Sequence, residues 1–250
     1  MDRLFALDKG TLKVFDADSG IMNYICTYYA HRHCDICIGF DDITQLKKTM
    51  TLHNIEYKVI PIASIEHTRE FLAKNYGAKM VPIEVPPVLE KFSPGYKITR
   101  GDDLLANATN YDNDKFFIKR IDELKSWNNL WCEGYYEYIE KDGLYSICPR
   151  QNILAEYRIF VYMDNIEGCY HYSGNPMVFP DAKLIQEMVN LYKTVPHPAA
   201  YTLDIAVTNE RTFPLEIHPM VSCGLYGFQS ANLLDMWEKG LDWYIEQKGV

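Results

Sequence analysis

The chain has 250 residues, 48% of them hydrophobic, which is enough to bury a substantial core as one large domain or two small ones. Its 34 acidic residues outnumber 25 Lys and Arg, and a net charge of -9 argues against a general nucleic-acid binder, which presents a basic stripe. No apolar run approaches the roughly 20 residues that a membrane-spanning helix needs, Met1 to Lys9 lacks a secretory apolar core, and seven scattered Cys form no disulfide framework; a cytoplasmic protein without a membrane partner is expected.

The first third alternates between strand and helix patterns. A hairpin is expected over Leu4 to Phe15, Asp18 and Ser19 can cap a helix through Tyr28 and Ala30, and Asp35 to Phe40 reads as a short buried strand. Asp42 with Gln45 resembles a capping box opening a helix through Leu52, and Glu56 to Ile62 is then a strand. Ser64 opens a further helix, Ile65 to Tyr76, that Gly77 can terminate, and Met80 to Val85 follows as a strand before Pro86 and Pro87. This order points to a parallel α/β unit. His31, His33, Cys34 and Cys37 are its densest set of candidate metal ligands, but a single Cys-x-x-Cys without a second pair is not a zinc pattern, and Cys37 falls within the strand.

Phe92 to Asn113, rich in Gly, Asp and Asn, carries Lys97 and Arg100, whose charges either rest in solvent or meet a phosphate or carboxylate. Lys115 to Arg120 is a strand with Phe116, Ile118 and Arg120 on one face and Phe117 and Lys119 on the other. A Lys at the end of such a strand can place a compact positive charge on a phosphate, or it can snorkel to solvent. Trp131 to Glu140 and Gly143 to Cys148 read as strands. Glu156 to Tyr162 alternates, with Glu156, Arg158 and Phe160 on one face, and Asn165 to Gly168 turns the chain into Cys169 to Ser173. Asp181 can cap a helix to Val195 whose stripe is Leu184, Ile185, Met188, Leu191 and Tyr192, and Pro196 stops it. A last helix, about Leu233 to Gln247, buries Leu234, Trp237, Leu241 and Tyr244.

Between these helices, Tyr201 to Val207 and Thr212 to His218 form a hairpin around the polar residues 208–211. Asp204 shares a face with Thr202 and Ala206, and Glu216 shares one with His218 and Pro214. A lone buried carboxylate costs several kcal/mol unless it is paired, so two acids on apolar strands indicate a metal or a cationic partner; the alternative is a half-exposed pair with its acids in water.

Leu-Asp-Ile-Ala at 203–206, Pro-Leu-Glu-Ile-His at 214–218 and Ser-Cys-Gly-Leu-Tyr-Gly at 222–227 resemble the metal-binding end of the ATP-grasp superfamily, in the small branch common in phages and bacteria. The strand ending in Lys119 and the Glu-x-Arg strand at 156–158 are similar to further elements of that family. The resemblance implies an ATP-grasp fold over 92–250 in two lobes, with a hinge near 146–151, behind an N-terminal parallel α/β domain similar to a pre-ATP-grasp unit over 1–91. It implies that Lys119 and Lys125 contact the nucleotide, that Arg158 approaches the phosphates or the acyl-phosphate and with Lys119 is catalytic, that the backbone of Ser146, Ile147 and Cys148 meets adenine, and that Asp204, Glu216 and His218 hold Mg²⁺. His218 stands where the family shows Asn, and an imidazole is a poorer Mg²⁺ ligand than an amide oxygen, so His218 either favours Mn²⁺, orients a ligand from behind, or marks a weakened site. Many relatives cover the phosphates with a glycine-rich loop, whereas Arg120 to Glu133 contains no Gly. The implied activity is an ATP-dependent carboxylate-amine ligase that passes through an acyl-phosphate and acts on small-molecule or peptide substrates. An ATP-grasp phosphotransferase and a non-catalytic ATP-binding protein are the alternatives, and the sequence leaves the oligomeric state open.

Overall fold

A computed structural model describes residues 2–9, 35–124 and 126–247, and elements are numbered within them. Among the described residues the strands form three four-stranded sheets. The first is built from β1 (Asp2–Asp8), β2 (Ile36–Phe40), β3 (Thr49–Leu52) and β4 (Ile55–Ile62) in the order β2-β1-β4-β3. In it β1 runs parallel to both β2 and β4, while β3 is an antiparallel edge. The parallel unit is therefore present, but Leu4 to Asp8 belongs to it and not to a hairpin with the residues that follow. The rest of that expected hairpin, the helix expected after Asp18, and His31, His33 and Cys34 lie outside the described residues.

The helix expected from Asp42 to Leu52 is not formed. Asp42 does cap, accepting from the Thr44 amide at 2.8 Å, but only a short 3-10 turn, Ile43–Gln45, follows. The β-branched run that includes Thr49 and Thr51 then enters β3, and His53 and Asn54 turn it into β4 with φ of 49° and 65°. Ser64 and Gly77 bound α1 (Ile65–Tyr76) as expected; Ser64 accepts from the His67 amide and Gly77 takes the left-handed cap at φ 61°. Met80 to Val85 is not a strand: proline-rich and bent at Glu84, it makes only an isolated bridge from Glu84 to Ile217.

The other two sheets are antiparallel. One contains β9 (Ala155–Tyr162), β10 (Asn165–Gly174), β11 (Ala200–Val207) and β12 (Thr212–Pro219) in the order β10-β9-β11-β12. The other contains β5 (Lys97–Arg100), β6 (Phe116–Arg120), β7 (Asn128–Leu130) and β8 (Leu144–Pro149) in the order β5-β8-β6-β7. The short α2 (Gly101–Ala106) follows β5. Residues 131–140, expected as a strand, contain the 3-10 helix Glu133–Tyr138, with Trp131 buried beside Ile118, Tyr145 and Ile147. The β9–β10 turn lies at Met163 and Asp164, both with positive φ, so Asn165 to Gly168 already belongs to β10.

Alternation divides the β10-β9-β11-β12 sheet cleanly. Tyr157, Ile159, Val161, Leu203 and Ile205 pack beneath α3 (Ala182–Tyr192), whose amide ends are capped by Asp181. The opposite face carries Arg158, Asp204 and Phe160. Here α4 (Leu233–Glu246) joins the parallel sheet in one core: Leu234, Trp237 and Leu241 pack with Phe5, Ile60 and Ile62, and the Trp237 indole donates to the Pro61 carbonyl at 2.9 Å. Among the described residues no helix is long and apolar enough to cross a membrane.

Candidate active site

Strand periodicity turns Lys119 of β6 and Glu216 of β12 towards each other across the space between the two antiparallel sheets. The neighbours Ile118 and Ile217 point the other way, each wholly buried in its own sheet's core. The Lys119 ammonium donates to Glu216 Oε2 and to Glu84 Oε2, the latter at 2.8 Å. Glu216 Oε1 lies 2.9 Å from His218 Nε2. Burial alone would lower the Lys119 pKa, but the attraction of Glu216 and Glu84 leaves it raised and the amine charged. Burial pushes Glu216 up, yet His218 and Lys119 overcome it and hold its carboxyl well below the usual range. At Glu84 burial prevails and the pKa is raised despite Lys119.

Glu84, which the sequence reading did not single out, joins this cluster. It is buried, holds φ at 57°, and its carbonyl accepts from the Ile217 amide at 2.9 Å, which fixes it beside β12. Its signal was a lone acid in an apolar, proline-bracketed stretch, the same signal that singled out Asp204 and Glu216.

Those two acids sit opposite each other in register but have different partners. Both Asp204 oxygens accept from Arg158, at 2.8 and 2.7 Å, and Asp204 is only 2% exposed. Arg158 also donates to the Gly224 carbonyl at 3.1 Å and lies 5.1 Å from the Tyr226 ring centre. Tyr226 stacks on Tyr172 at 5.0 Å, the Ser222 hydroxyl lies 2.8 Å from Thr68 Oγ1, and Cys223 and Leu225 are buried, so the Arg158 guanidinium is one of several ties that hold the Ser222 to Gly227 loop. The expected trio of Asp204, Glu216 and His218 is consequently divided. Glu216 and His218 are in contact, Asp204 is committed to Arg158, and among the described residues no three His, Cys, Asp or Glu side chains are gathered as a ready ligand set. The physical reason is the bidentate fit of guanidinium to carboxylate, which satisfies both oxygens in a buried place.

Lys119, Arg158, Glu84, Glu216 and His218 line a cleft of about 290 Å³. Glu123, Leu124 and Ser126, from the connection between β6 and β7, border it, so that segment flanks the site without a glycine. Lys125, also expected here, lies outside the described residues. A second cavity of about 70 Å³ shares Glu84 and Lys119 and is lined by Ser146, Cys148, Phe117 and Phe213. Ser146 and Cys148 thus face it, and burial pushes the Cys148 thiol up to about 11, leaving it protonated. Ile147 points into the opposite core. Lys97 is exposed, and Arg100 makes a solvated contact with Asp102 at 3.3 Å; neither lines the cleft.

The family model described as ATP-grasp domain, R-2-K clade family 2, matches residues 102–236, just over half of the chain. No curated protein matches the sequence. Among solved structures, D-alanine–D-alanine ligase from Bacillus anthracis complexed with ATP is 10% identical with a TM-score of 0.55, covering 100% of both chains. The macrocyclase MdnC bound with precursor peptide MdnA, from Microcystis aeruginosa, is 12% identical with a TM-score of 0.54, over 96% of this chain and 98% of that one. The ATP-grasp ligase PsnB with a precursor variant, Mg and ADP is 10% identical with a TM-score of 0.53, again over 96% and 98%. These likenesses span the same two facing sheets that carry Lys119 and Glu216. The chain belongs to the ATP-grasp superfamily, as a member of family 2 of the R-2-K clade.

Proposed function

We propose that this protein is an ATP-dependent ligase that joins a carboxylate to an amine through an acyl-phosphate, releasing ADP and phosphate. The observation that carries this reading is the meeting of Lys119 with Glu216 across a cleft between two antiparallel sheets, in a chain of the ATP-grasp family. By name, the structural neighbours are a D-alanine–D-alanine ligase, a macrocyclase bound to a peptide and a ligase with Mg and ADP, which supports ATP, Mg²⁺ and a small-molecule or peptide substrate pair here.

The donor set fits a divalent cation: Glu216 offers a carboxylate one-quarter exposed to the cleft, and His218 an imidazole beside it, which keeps Mn²⁺ in play beside Mg²⁺. When bound, the cation neutralises charge on the phosphate oxygens. The remaining work falls to the chain. Lys119 places a positive charge, raised in pKa and therefore permanent at neutral pH, where the transferred phosphoryl group gathers negative charge. Arg158 spends three N–H groups on Asp204 and Gly224 and directs the rest of a rigid, desolvated guanidinium at the same cleft. The smaller cavity beside Ser146 and Cys148 suits the adenine, with Lys125 as a further phosphate contact. In this reading residues 1–91 are the pre-ATP-grasp-like domain, 92–250 hold the nucleotide between two lobes, and 146–151 is the hinge. With no membrane-spanning helix among the described residues, a cytoplasmic site of action is part of the proposal.

Phosphorus NMR of turnover mixtures with a panel of acids and amines, with and without hydroxylamine, tests the reaction class. ADP, phosphate and a new amide, with a hydroxamate when hydroxylamine is present, are expected. A stable phosphorylated product would assign a phosphotransferase instead, and AMP with pyrophosphate would contradict the mechanism.

A further inference from the structure

The β5-β8-β6-β7 sheet carries a core of its own, in which Ile118, Trp131, Tyr145 and Ile147 are buried. Among the described residues, Leu124 is the one side chain of 97–149 that leaves this sheet to pack against the core shared by the parallel sheet and α4. It is half-buried, and Ile65, Met80, Val221 and Tyr244 line the cleft with it from that side. Leu124 thus crosses from one wall of the cleft to the other.

The connection that bears it is braced to its own sheet. The Arg120 amide donates to the Trp127 carbonyl at 2.9 Å and the Ile121 amide to the Leu144 carbonyl at 2.8 Å. The Arg120 guanidinium reaches Asp122 and Glu140, each at 2.8 Å. With no glycine between Arg120 and Glu133 to supply a swivel, Leu124 moves with the sheet and not apart from it. Lys119 also bridges the two walls, but its contacts with Glu216 and Glu84 are ionic and lie where a charged ligand competes for them. The Leu124 contact is apolar and faces no such competition.

We propose that Leu124 is the positioning residue that shuts the cleft, and that opening carries the whole β5-β8-β6-β7 sheet away from Ile65, Met80 and Tyr244 instead of lifting a loop. One consequence rests on the reading of this cleft as the nucleotide site: the seat of Leu124 sets how long the nucleotide stays and keeps water from the reacting groups.

Two measurements on the full-length protein test this. The first needs no nucleotide. Cys148 lines the smaller cavity between the two antiparallel sheets, whereas Cys169 is exposed on β10. Alkylation by N-ethylmaleimide, followed at each cysteine by peptide mass spectrometry, should run several-fold faster at Cys148 in Leu124→Ala and in Leu124→Asn, which keeps the size but not the apolar character. Cys169 should react at the wild-type rate throughout, and Leu124→Met, which preserves the apolar volume, should restore the wild-type rate at Cys148. Should Leu124→Ala fail to fold, the milder truncation Leu124→Val should still speed Cys148. The second measurement is stopped-flow dissociation of a fluorescent methylanthraniloyl-ADP with Mg²⁺, which Leu124→Ala should accelerate on the order of tenfold. Wild-type alkylation of Cys148 in the folded Ala, Val and Asn variants, or a Met variant as fast as Ala, would overturn the role of Leu124. A wild type that binds no labelled ADP would overturn the nucleotide reading instead, with closure still decided by Cys148.

Discussion

Lys119 is held between two carboxylates whose proton affinities are driven apart, and this sets the pH dependence of their variants. Glu216 has a depressed pKa in the folded protein, so its contribution to stability is fully present above its ordinary value of 4.5 and is lost as pH falls towards the depressed value. Glu216→Gln is therefore expected to lower the melting temperature at pH 7 and to approach the wild type as pH falls below about 4.5. Glu84 has the opposite sign: with its pKa raised, the ionised form weakens the fold above that pKa, and the penalty is absent below the ordinary carboxylate value. Glu84→Gln should accordingly be neutral or stabilising at pH 7, a result that melting curves at both pH values would show and a destabilised variant would refute. Alternation on a strand assigned Lys119, Arg158, Asp204 and Glu216 each a face, and the resemblance to the ATP-grasp superfamily singled them out. Their pairings were not legible: nothing local says that Asp204 meets Arg158, 46 residues away. Glu84 was hidden by its backbone, since a strand pattern was read into a segment bent by prolines and a left-handed residue.

Alternation located β6, β8, β9, β11 and β12, whereas a capping side chain marked a helix start only where the residues after it favour a helix. Ser64 and Gly77 delimit α1, and Asp181 starts α3; by contrast, the acid at Asp42 caps only a 3-10 turn because the β-branched residues after it pair with β4. Asp181→Ala should remove the two amide contacts at 2.8 and 3.2 Å and cost about 1 kcal/mol in urea unfolding. Helix α4 makes a sharper case. A Cβ at Gly240 would lie 2.3 Å from the Met220 carbonyl oxygen, so the helix presses directly on the backbone that leads from β12 into the cleft-lining residues Val221 to Gly224. Helix propensity favours Gly240→Ala by about 1 kcal/mol. Backbone overlap of this kind opposes it by about 1 to 3 kcal/mol or more. The variant is expected to be less stable and to have weakened nucleotide binding; a stabilised protein with unchanged affinity would show that α4 does not set the loop.

At the scale of the whole molecule, the parallel sheet and one face of the β10-β9-β11-β12 sheet share an apolar core through α4, and charge reinforces it. Lys58 reaches Glu238 and Asp242 at 2.6 and 2.7 Å, and Arg3 joins Asp35 to Asp235 and Glu238. A fragment beginning at residue 92 should therefore expose Leu234, Trp237 and Leu241 and aggregate, while the full chain should unfold in one transition seen alike by tryptophan fluorescence and far-ultraviolet circular dichroism. The boundary expected at 91 and 92 rests on the motif order in the sequence, whereas the shared core comes from contacts between the two ends of the chain that no local pattern encodes. What the assembly accomplishes is to hold two antiparallel sheets face to face so that Lys119 and Glu216 enclose a cleft. The central claim is that this cleft binds ATP with a divalent cation, and calorimetry with a non-hydrolysable ATP analogue and Mg²⁺ tests it most directly. The wild type should bind, and Lys119→Ala should bind roughly ten- to a hundredfold more weakly while remaining folded, as expected for the loss of one charge-assisted contact of about 1.5 to 3 kcal/mol. Equal affinity in the two proteins, or no binding by the wild type, would contradict it.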